Sequence, residues 1–157
     1  MRRDMLGQIR APEHHELAVL TDLCMRSKAV WGYNKEFMDA CRAELTINLG
    51  DLNYTEIAVA EEGGKVIGIA QVEVKGTDAD LLKLFVEPGR IGSGVGAALF
   101  RWAARRAREL GADRLVIDSD PSAVPFYRRM GAQQIGNAPS GSIPGRTLPK
   151  LALDIRP

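Results

Sequence analysis

The sequence predicts an α+β fold, a mixed and mostly antiparallel central sheet flanked by helices, with residues 1–157 forming a single domain. Three observations carry this reading. Two β-rich runs, Ile57 to Ala60 and Val66 to Val72, flank Gly63-Gly64, the pattern of a tight hairpin. Helical periodicity fills the segment before that hairpin and the one after Gly92, so strands and helices do not simply alternate. Hydrophobic residues make up 45% and charged residues 26% of 157, a balance that can bury a core, and no linker, repeat or low-complexity tract divides the chain.

In chain order, Gln8 to Arg10 ends a short first strand, and Pro12 suits the opening of a helix. Leu17, Leu20, Leu23 and Cys24 recur at helical steps. Trp31-Gly32-Tyr33 breaks that pattern, and Asn34 is placed to cap a second helix carrying Phe37, Met38, Cys41 and Leu45 inward. After the hairpin, Asp78 to Asp80 precede Leu81 to Val86, an apolar run suited to a central strand. Val95, Leu99, Trp102, Ala103, Arg106 and Leu110 track a long helix ended by Gly111. Leu115 to Ile117 is a buried strand, and Ser122 to Met130 a short helix closed by Gly131. Leu148 to Ile155 is the last strand, after a loop rich in Pro, Gly and Ser.

Twenty-one Lys and Arg against 20 Asp and Glu leave a net charge of +1, which argues against nucleic acid or an anionic membrane held by bulk charge. The apolar stretch Ile91 to Phe100 is too short to span a bilayer. Arg2, Arg3 and Asp4 lead into no hydrophobic signal core, so a cytoplasmic chain is expected. Cys24 and Cys41 are too few for a disulfide framework, and Cys41 shares a helix face with Phe37, Met38 and Leu45, as a core thiol does. His14 and His15 lack a second ligand cluster, so no metal is expected. Arg101, Arg105 and Arg108 form a solvated helix face.

Glycine is the compositional excess: 16 residues, about one in ten against a typical ~7%. Gly89, Gly92, Gly94 and Gly96 fall in one short segment that runs from the strand ending at Val86 into the first turn of the helix starting near Val95. Glycines there let several N–H groups converge beside a helix N-terminus, which suits phosphate. A P-loop needs Lys-Ser or Lys-Thr after its last glycine, and Ala97-Ala98 stand there instead. A dinucleotide fingerprint fits Gly92-x-Gly94-x-x-Ala97 with Asp118 downstream. However, its first glycine lies too far from the strand, and a meander precedes it in place of a βαβ series.

A third reading uses more of the chain. Val86-x-Pro88-x-x-x-Gly92-x-Gly94-x-Gly96-x-x-Leu99, followed by Asp120-Pro121-Ser122-Ala123-x-x-Phe126-Tyr127-x-x-x-Gly131-Ala132, resembles the GCN5-related N-acetyltransferase (GNAT) superfamily. The resemblance is close from Leu81 through Gly136; the upstream hairpin and two N-terminal helices match in order only. Ser140-Gly141-Ser142-Ile143-Pro144-Gly145-Arg146 looks like a feature of small bacterial members. The chain departs from the pattern at Ile91, where the family usually carries Gln or Arg; Arg90 is either the replacement charge or a solvent-facing residue.

The resemblance implies an acyl-CoA N-acyltransferase-like fold and a transfer of acetyl from acetyl-CoA to a primary amine of a small molecule or peptide by direct attack. It implies that Ile91, Gly92, Ser93, Gly94, Val95, Gly96 and Ala97 bind the pyrophosphate, and that Leu84, Phe85 and Val86 pair with pantetheine where their strand splays from Leu115 to Ile117. A backbone N–H near Phe85 then polarises the thioester. Tyr127 stands at the position of the general acid; in isolation it reads instead as a half-buried Tyr packed beside Phe126, and the motif reverses that reading. Ser122 either contacts the cofactor or caps a helix. Arg128 or Arg129 meets the 3′-phosphate. Glu73, Glu87 and Asp118 are candidate bases, Glu73 first because its strand faces the cleft. Trp31 and Tyr33, between the first two helices, either overhang the acceptor site, as that joint often does in this superfamily, or form a hydrophobic clamp between the helices. A homodimer through the C-terminal strand or loop is an expectation, as sheet edges often pair, and the rival function is a non-catalytic acyl-CoA-binding or regulatory module.

Overall fold

The computed structural model describes residues 8–157; the Arg2-Arg3-Asp4 segment lies outside them. The elements are β1 (Gln8–Arg10), α1 (Leu17–Ala29), α2 (Lys35–Leu45), α3 (Leu49–Tyr54), β2 (Glu56–Glu62), β3 (Lys65–Lys75), β4 (Asp78–Val86), α4 (Val95–Glu109), β5 (Arg114–Asp118), α5 (Val124–Arg129), β6 (Gln133–Pro139) and β7 (Thr147–Asp154). One sheet joins all seven strands in the order β1-β2-β3-β4-β5-β7-β6. Its β4–β5 pair is parallel and the other five pairs are antiparallel. The expected mixed, mostly antiparallel sheet flanked by helices is therefore present.

Each face of the sheet buries one set of helices. Leu20, Leu23 and Cys24 of α1 and Cys41 and Leu45 of α2 pack on Val59 and Ile69. On the other face, Phe100, Ala103 and Ala107 of α4 pack on Val72, Leu115, Ile117 and Leu151. Both cysteines are free and buried. Among the described residues no helix is long and apolar enough to cross a membrane.

Local chemistry moves several boundaries. Pro12 does not open α1. A capping box between Glu13 and Glu16 starts a short 3-10 turn at His14, and α1 follows from Leu17. Asn34 caps α2 as expected, accepting from the Phe37 N–H at 2.9 Å. α3 fills a stretch for which the sequence reading assigned no element; Asn48 and Asp51 form its capping box. β4 begins at Asp78, before the apolar run, because Lys75 and Asp78 already pair across a turn containing Gly76.

The sheet opens at one place. In the β3–β4 register, Gln71 faces Lys83 and Val72 faces Leu81, so Leu82 is an extra residue on β4. β4 pairs with β5 only from Asp78 to Asp80, opposite Arg114 to Val116. Beyond Leu81 the two strands diverge. This is the splay expected between Leu84 to Val86 and Leu115 to Ile117.

Gly68 on β3 sets how closely α4 approaches that opening. A Cβ there would lie 2.7 Å from Leu99 Cδ1, 3.1 Å from Val95 Cγ1 and 3.3 Å from the Phe85 carbonyl oxygen. Gly68→Val therefore overpacks the α4–sheet contact at a cost of about 1–3 kcal/mol. Thermal denaturation should show the midpoint falling by about 2–4 °C for each kcal/mol lost in a chain of this length. An unchanged midpoint would mean that α4 has room to spare.

Candidate active site

A cavity of about 620 Å³ occupies the opening, a size that suits a small-molecule ligand. Its walls come from the end of α1, from β4, from the loop entering α4, from the end of β5 and from α5. The structure brings to it most of the residues singled out by the sequence: Trp31, Leu84, Phe85, Val86, Ile91, Gly92, Gly94, Gly96, Ala97, Ser122 and Tyr127.

On the α4 side, the backbone supplies the donors. Gly92 and Gly94 take positive φ, 85° and 94°, a region closed to most side chains. Gly94 caps α4, whose first internal bond runs from the Ala98 N–H to the Gly94 carbonyl. The N–H groups of Val95, Gly96 and Ala97 are thus left over at the helix N-terminus, where the helix dipole also favours an anion. Ser93 is turned away: its N–H and hydroxyl both donate to the Arg90 carbonyl. Val95 is likewise buried against the sheet, so its contribution to the cavity is backbone only. Ile91 lines the cavity with its side chain 50% exposed. Arg90 does not stand in for the missing polar residue, because its guanidinium pairs with Glu62 at the hairpin.

Along β4 the donors alternate. The Glu87 N–H donates to the Ile67 carbonyl, so the Phe85 N–H, two residues earlier and opposite Ile69, faces β3 as well. The N–H of Val86 faces the opposite way, reaching Ser27 Oγ at 3.3 Å, and that of Leu84 follows it. The donors near Phe85 that face away from β3 are thus those of Leu84 and Val86, not that of Phe85 itself. Ser27, nearly buried on α1, is a site residue that no sequence pattern marked.

Tyr127 on α5 is only 7% exposed, packed between Phe100 and Phe126 with ring centroids 5.8 and 5.2 Å away. Among the described residues its hydroxyl has no hydrogen-bond partner, and the residue lines the cavity. Burial, reinforced by the nearby Asp120 charge, pushes the phenol well above its usual value near 10. It is held protonated.

Asp120 ties three segments together. Its Oδ2 accepts from the Tyr33 hydroxyl at 2.6 Å and from Lys28 Nζ at 3.4 Å, and Arg146 Nη2 lies 3.6 Å away. Arg146 also donates to the Tyr33 hydroxyl at 2.8 Å. Burial pushes the Asp120 carboxyl up, but the Tyr33 and Ser122 hydrogen bonds and the Lys28 and Arg146 charges bring it below its usual value. The helix cap here is Asp120, which accepts from the Ser122 N–H at 2.9 Å, and Ser122 is not itself the cap. Tyr33 is therefore spent on Asp120 and on stacking with Phe37, and it does not line the cavity; its neighbour Trp31, 44% exposed, does.

The three candidate bases separate. Glu73 sits opposite Asp80, at the end of the sheet where β4 and β5 have not yet diverged, and its carboxylate lies 3.3 Å from Lys75 Nζ. It does not line the cavity. Glu87 is held by both Arg26 nitrogens at 3.1 and 2.6 Å, and that hydrogen bonding keeps it below the usual carboxylate range. Asp118 borders the cavity. Arg129 borders it too, whereas Arg128 reaches Gln134. Cys24 offers no nucleophile, since burial pushes its thiol up to about 12.

A glycine-rich helix N-terminus facing two splayed strands of a mixed sheet defines the acyl-CoA N-acyltransferase-like fold. The chain belongs to the acetyltransferase (GNAT) family, whose model matches residues 18–132. It is an acyltransferase of that family. Among solved structures it is similar to the PaiA N-acetyltransferase of Thermoplasma acidophilum in complex with coenzyme A, at 16% identity and a TM-score of 0.78, covering 94% of this chain and 98% of that one. A GCN5-related N-acetyltransferase from Rhodopseudomonas palustris matches at 22% identity and a TM-score of 0.76, over 94% and 95% of the two chains. The ribosomal-protein-S18-alanine N-acetyltransferase of Escherichia coli matches at 18% and 0.68, over 95% and 94%. These identities speak for the fold alone. No curated protein resembles the chain closely enough in sequence to count as a match.

Proposed function

We propose that the protein transfers acetyl from acetyl-CoA to a primary amine of a small molecule or peptide by direct attack. The observation that carries this reading is the placement of Tyr127. A protonated phenol borders the same cavity as the orphan N–H groups of α4 and the cavity-facing N–H groups of Leu84 and Val86. Two similar solved structures, PaiA and an aminoglycoside 6′-N-acetyltransferase, are complexes with coenzyme A, which supports the reading.

In this reading acetyl-CoA supplies a thioester and a pyrophosphate. The loop from Ile91 to Ala97 holds the pyrophosphate through backbone donors, which do not need the polar side chain that Ile91 lacks. The Leu84 N–H pairs with a pantetheine amide, and the Val86 N–H, on exchanging Ser27 Oγ for the ligand, polarises the thioester carbonyl. The amine nitrogen forms the new C–N bond as the C–S bond breaks. Tyr127 gives its proton to the departing sulfur, and the amine loses its proton to water at the Asp118 side of the mouth. Arg129 is the cation placed for the 3′-phosphate. The C-terminal strand β7 is paired on both sides, by β5 and β6, so it does not offer the expected free edge; a homodimer through this end of the sheet would form at the edge of β6 or through the loop before β7.

A panel of amines with acetyl-CoA, read as free thiol release, tests the proposal. Release should rise with at least one amine class above the hydrolysis background. If the protein binds acetyl-CoA and no amine accelerates release, it is a binding module and the proposal falls.

A further inference from the structure

We propose that the acceptor amine also carries a compact anion, a carboxylate, and that Lys83 binds it. The inference rests on the amine acetylation proposed above and narrows its acceptor.

Lys83 lines the cavity from β4. Its side chain lies on the α1–α2 face of the strand with Phe85, which packs in the core beneath those helices, and opposite Leu84 and Val86, which pack toward α4. Donor and acceptor halves of the cavity thus take opposite faces of one strand. Among the described residues no carboxylate lies within 4.0 Å of Lys83 Nζ, which instead donates to Gln71 Oε1 at 3.0 Å.

Gln71 is fully buried, and its Nε2 donates to Asp51 Oδ1 and Thr55 Oγ1, both at 3.1 Å. Those two acceptors fix the amide so that its oxygen faces Lys83. The neutral carbonyl orients the ammonium without cancelling it. The other cations at the cavity are accounted for: Lys28 faces Asp120, and Arg129 stands on α5, on the opposite face. Glu44, the carboxylate that lines this half from α2, accepts from the Ser142 hydroxyl and does not meet Lys83, so Lys83 is the cation of the acceptor half with no carboxylate in contact. A part-buried cation lacking a counter-ion is costly, and a ligand carboxylate offsets that cost. Lys83 also lies within about 10 Å along the strand of the Leu84 and Val86 N–H groups, at ~3.3 Å per residue. Amine and anion then belong to one small molecule, as in an amino acid.

The test compares matched pairs: glycine with glycinamide, β-alanine with β-alaninamide, leucine with leucinamide, each assayed by thiol release from acetyl-CoA. The carboxylates should be preferred by about 10–100-fold in kcat/KM, the range of a hydrogen bond between charged groups. Lys83→Met should abolish the preference by raising KM for the carboxylates, and Lys83→Arg should keep it. Three results overturn the inference while leaving amine acetylation standing: equal use of both members of each pair by the wild type, a preference that survives Lys83→Met, or a rise confined to the KM of acetyl-CoA. No release with any amine, in these pairs or in the wider panel, overturns both. The wild-type comparison and the Lys83→Arg variant keep the test decisive even if Lys83→Met fails to fold.

Discussion

Tyr127→Phe should lower kcat by about 10²-fold while the KM for acetyl-CoA stays within a factor of two or three. The lower end of the general-acid range is expected because a thiol, with a pKa near 8.5, leaves more readily than an alcohol or amine. The substitution removes one oxygen that has no hydrogen-bond partner among the described residues, and it leaves the packing of the ring on Phe100 and Phe126 intact. Stability should therefore hold, which circular dichroism would check alongside the kinetics. The sign of the pH dependence follows from burial. A general acid works only while protonated, and the raised phenol pKa extends that range upward. The wild type should show no alkaline loss of kcat attributable to Tyr127 below about pH 10. Undiminished turnover in Tyr127→Phe, or a descending limb between pH 8 and 9 that the variant abolishes, would dismiss the assignment.

Gly94→Val should act on binding instead. Gly94 combines a φ of 94° with the capping position of α4, so a β-branched residue is strained there by about 1–2 kcal/mol, and relieving that strain shifts the turn that presents the α4 N–H groups. Losing one charged hydrogen bond to a phosphate costs about 1.5–3 kcal/mol, or about 10–150-fold in Kd for acetyl-CoA. Calorimetric titration of coenzyme A into both proteins measures this directly. Equal affinities would remove the loop from the binding site. The contrast with Tyr127→Phe separates the two roles, one variant failing in turnover and the other in capture.

The parts of this site carried by local rules were legible in the sequence. Glycines at alternate positions before an amphipathic helix predict an anion-binding turn, and Asn34 predicts a helix start, because backbone dihedrals and caps are decided within a few residues. What failed depended on register. Glu73 does lie on a strand of the sheet, but which end of β3 meets the cavity follows from the pairing with β4 and from the extra Leu82. The same register decides which donor near Phe85 is offered, a choice the expectation left open: those of Leu84 and Val86, not that of Phe85 itself. Tyr33 was misassigned for a different reason: its partners Asp120 and Arg146 are 87 and 113 residues away, so nothing near it announced that its hydroxyl was engaged. Ser27 and Lys83 sat inside otherwise apolar helix and strand patterns. A polar residue there looks like noise until its partner is seen.

The Asp120 cluster has a dynamic consequence. The joint between α1 and α2, the turn leading into α5 and the loop before β7 all converge on one carboxylate. Glu44 on α2 reinforces the arrangement by accepting from the Ser142 hydroxyl at 2.9 Å. These segments come from distant parts of the chain, and none can swing outward alone without exposing Lys28 or Arg146 unpaired. This wall of the cavity is therefore expected to open as one cooperative unit held at Asp120, not segment by segment.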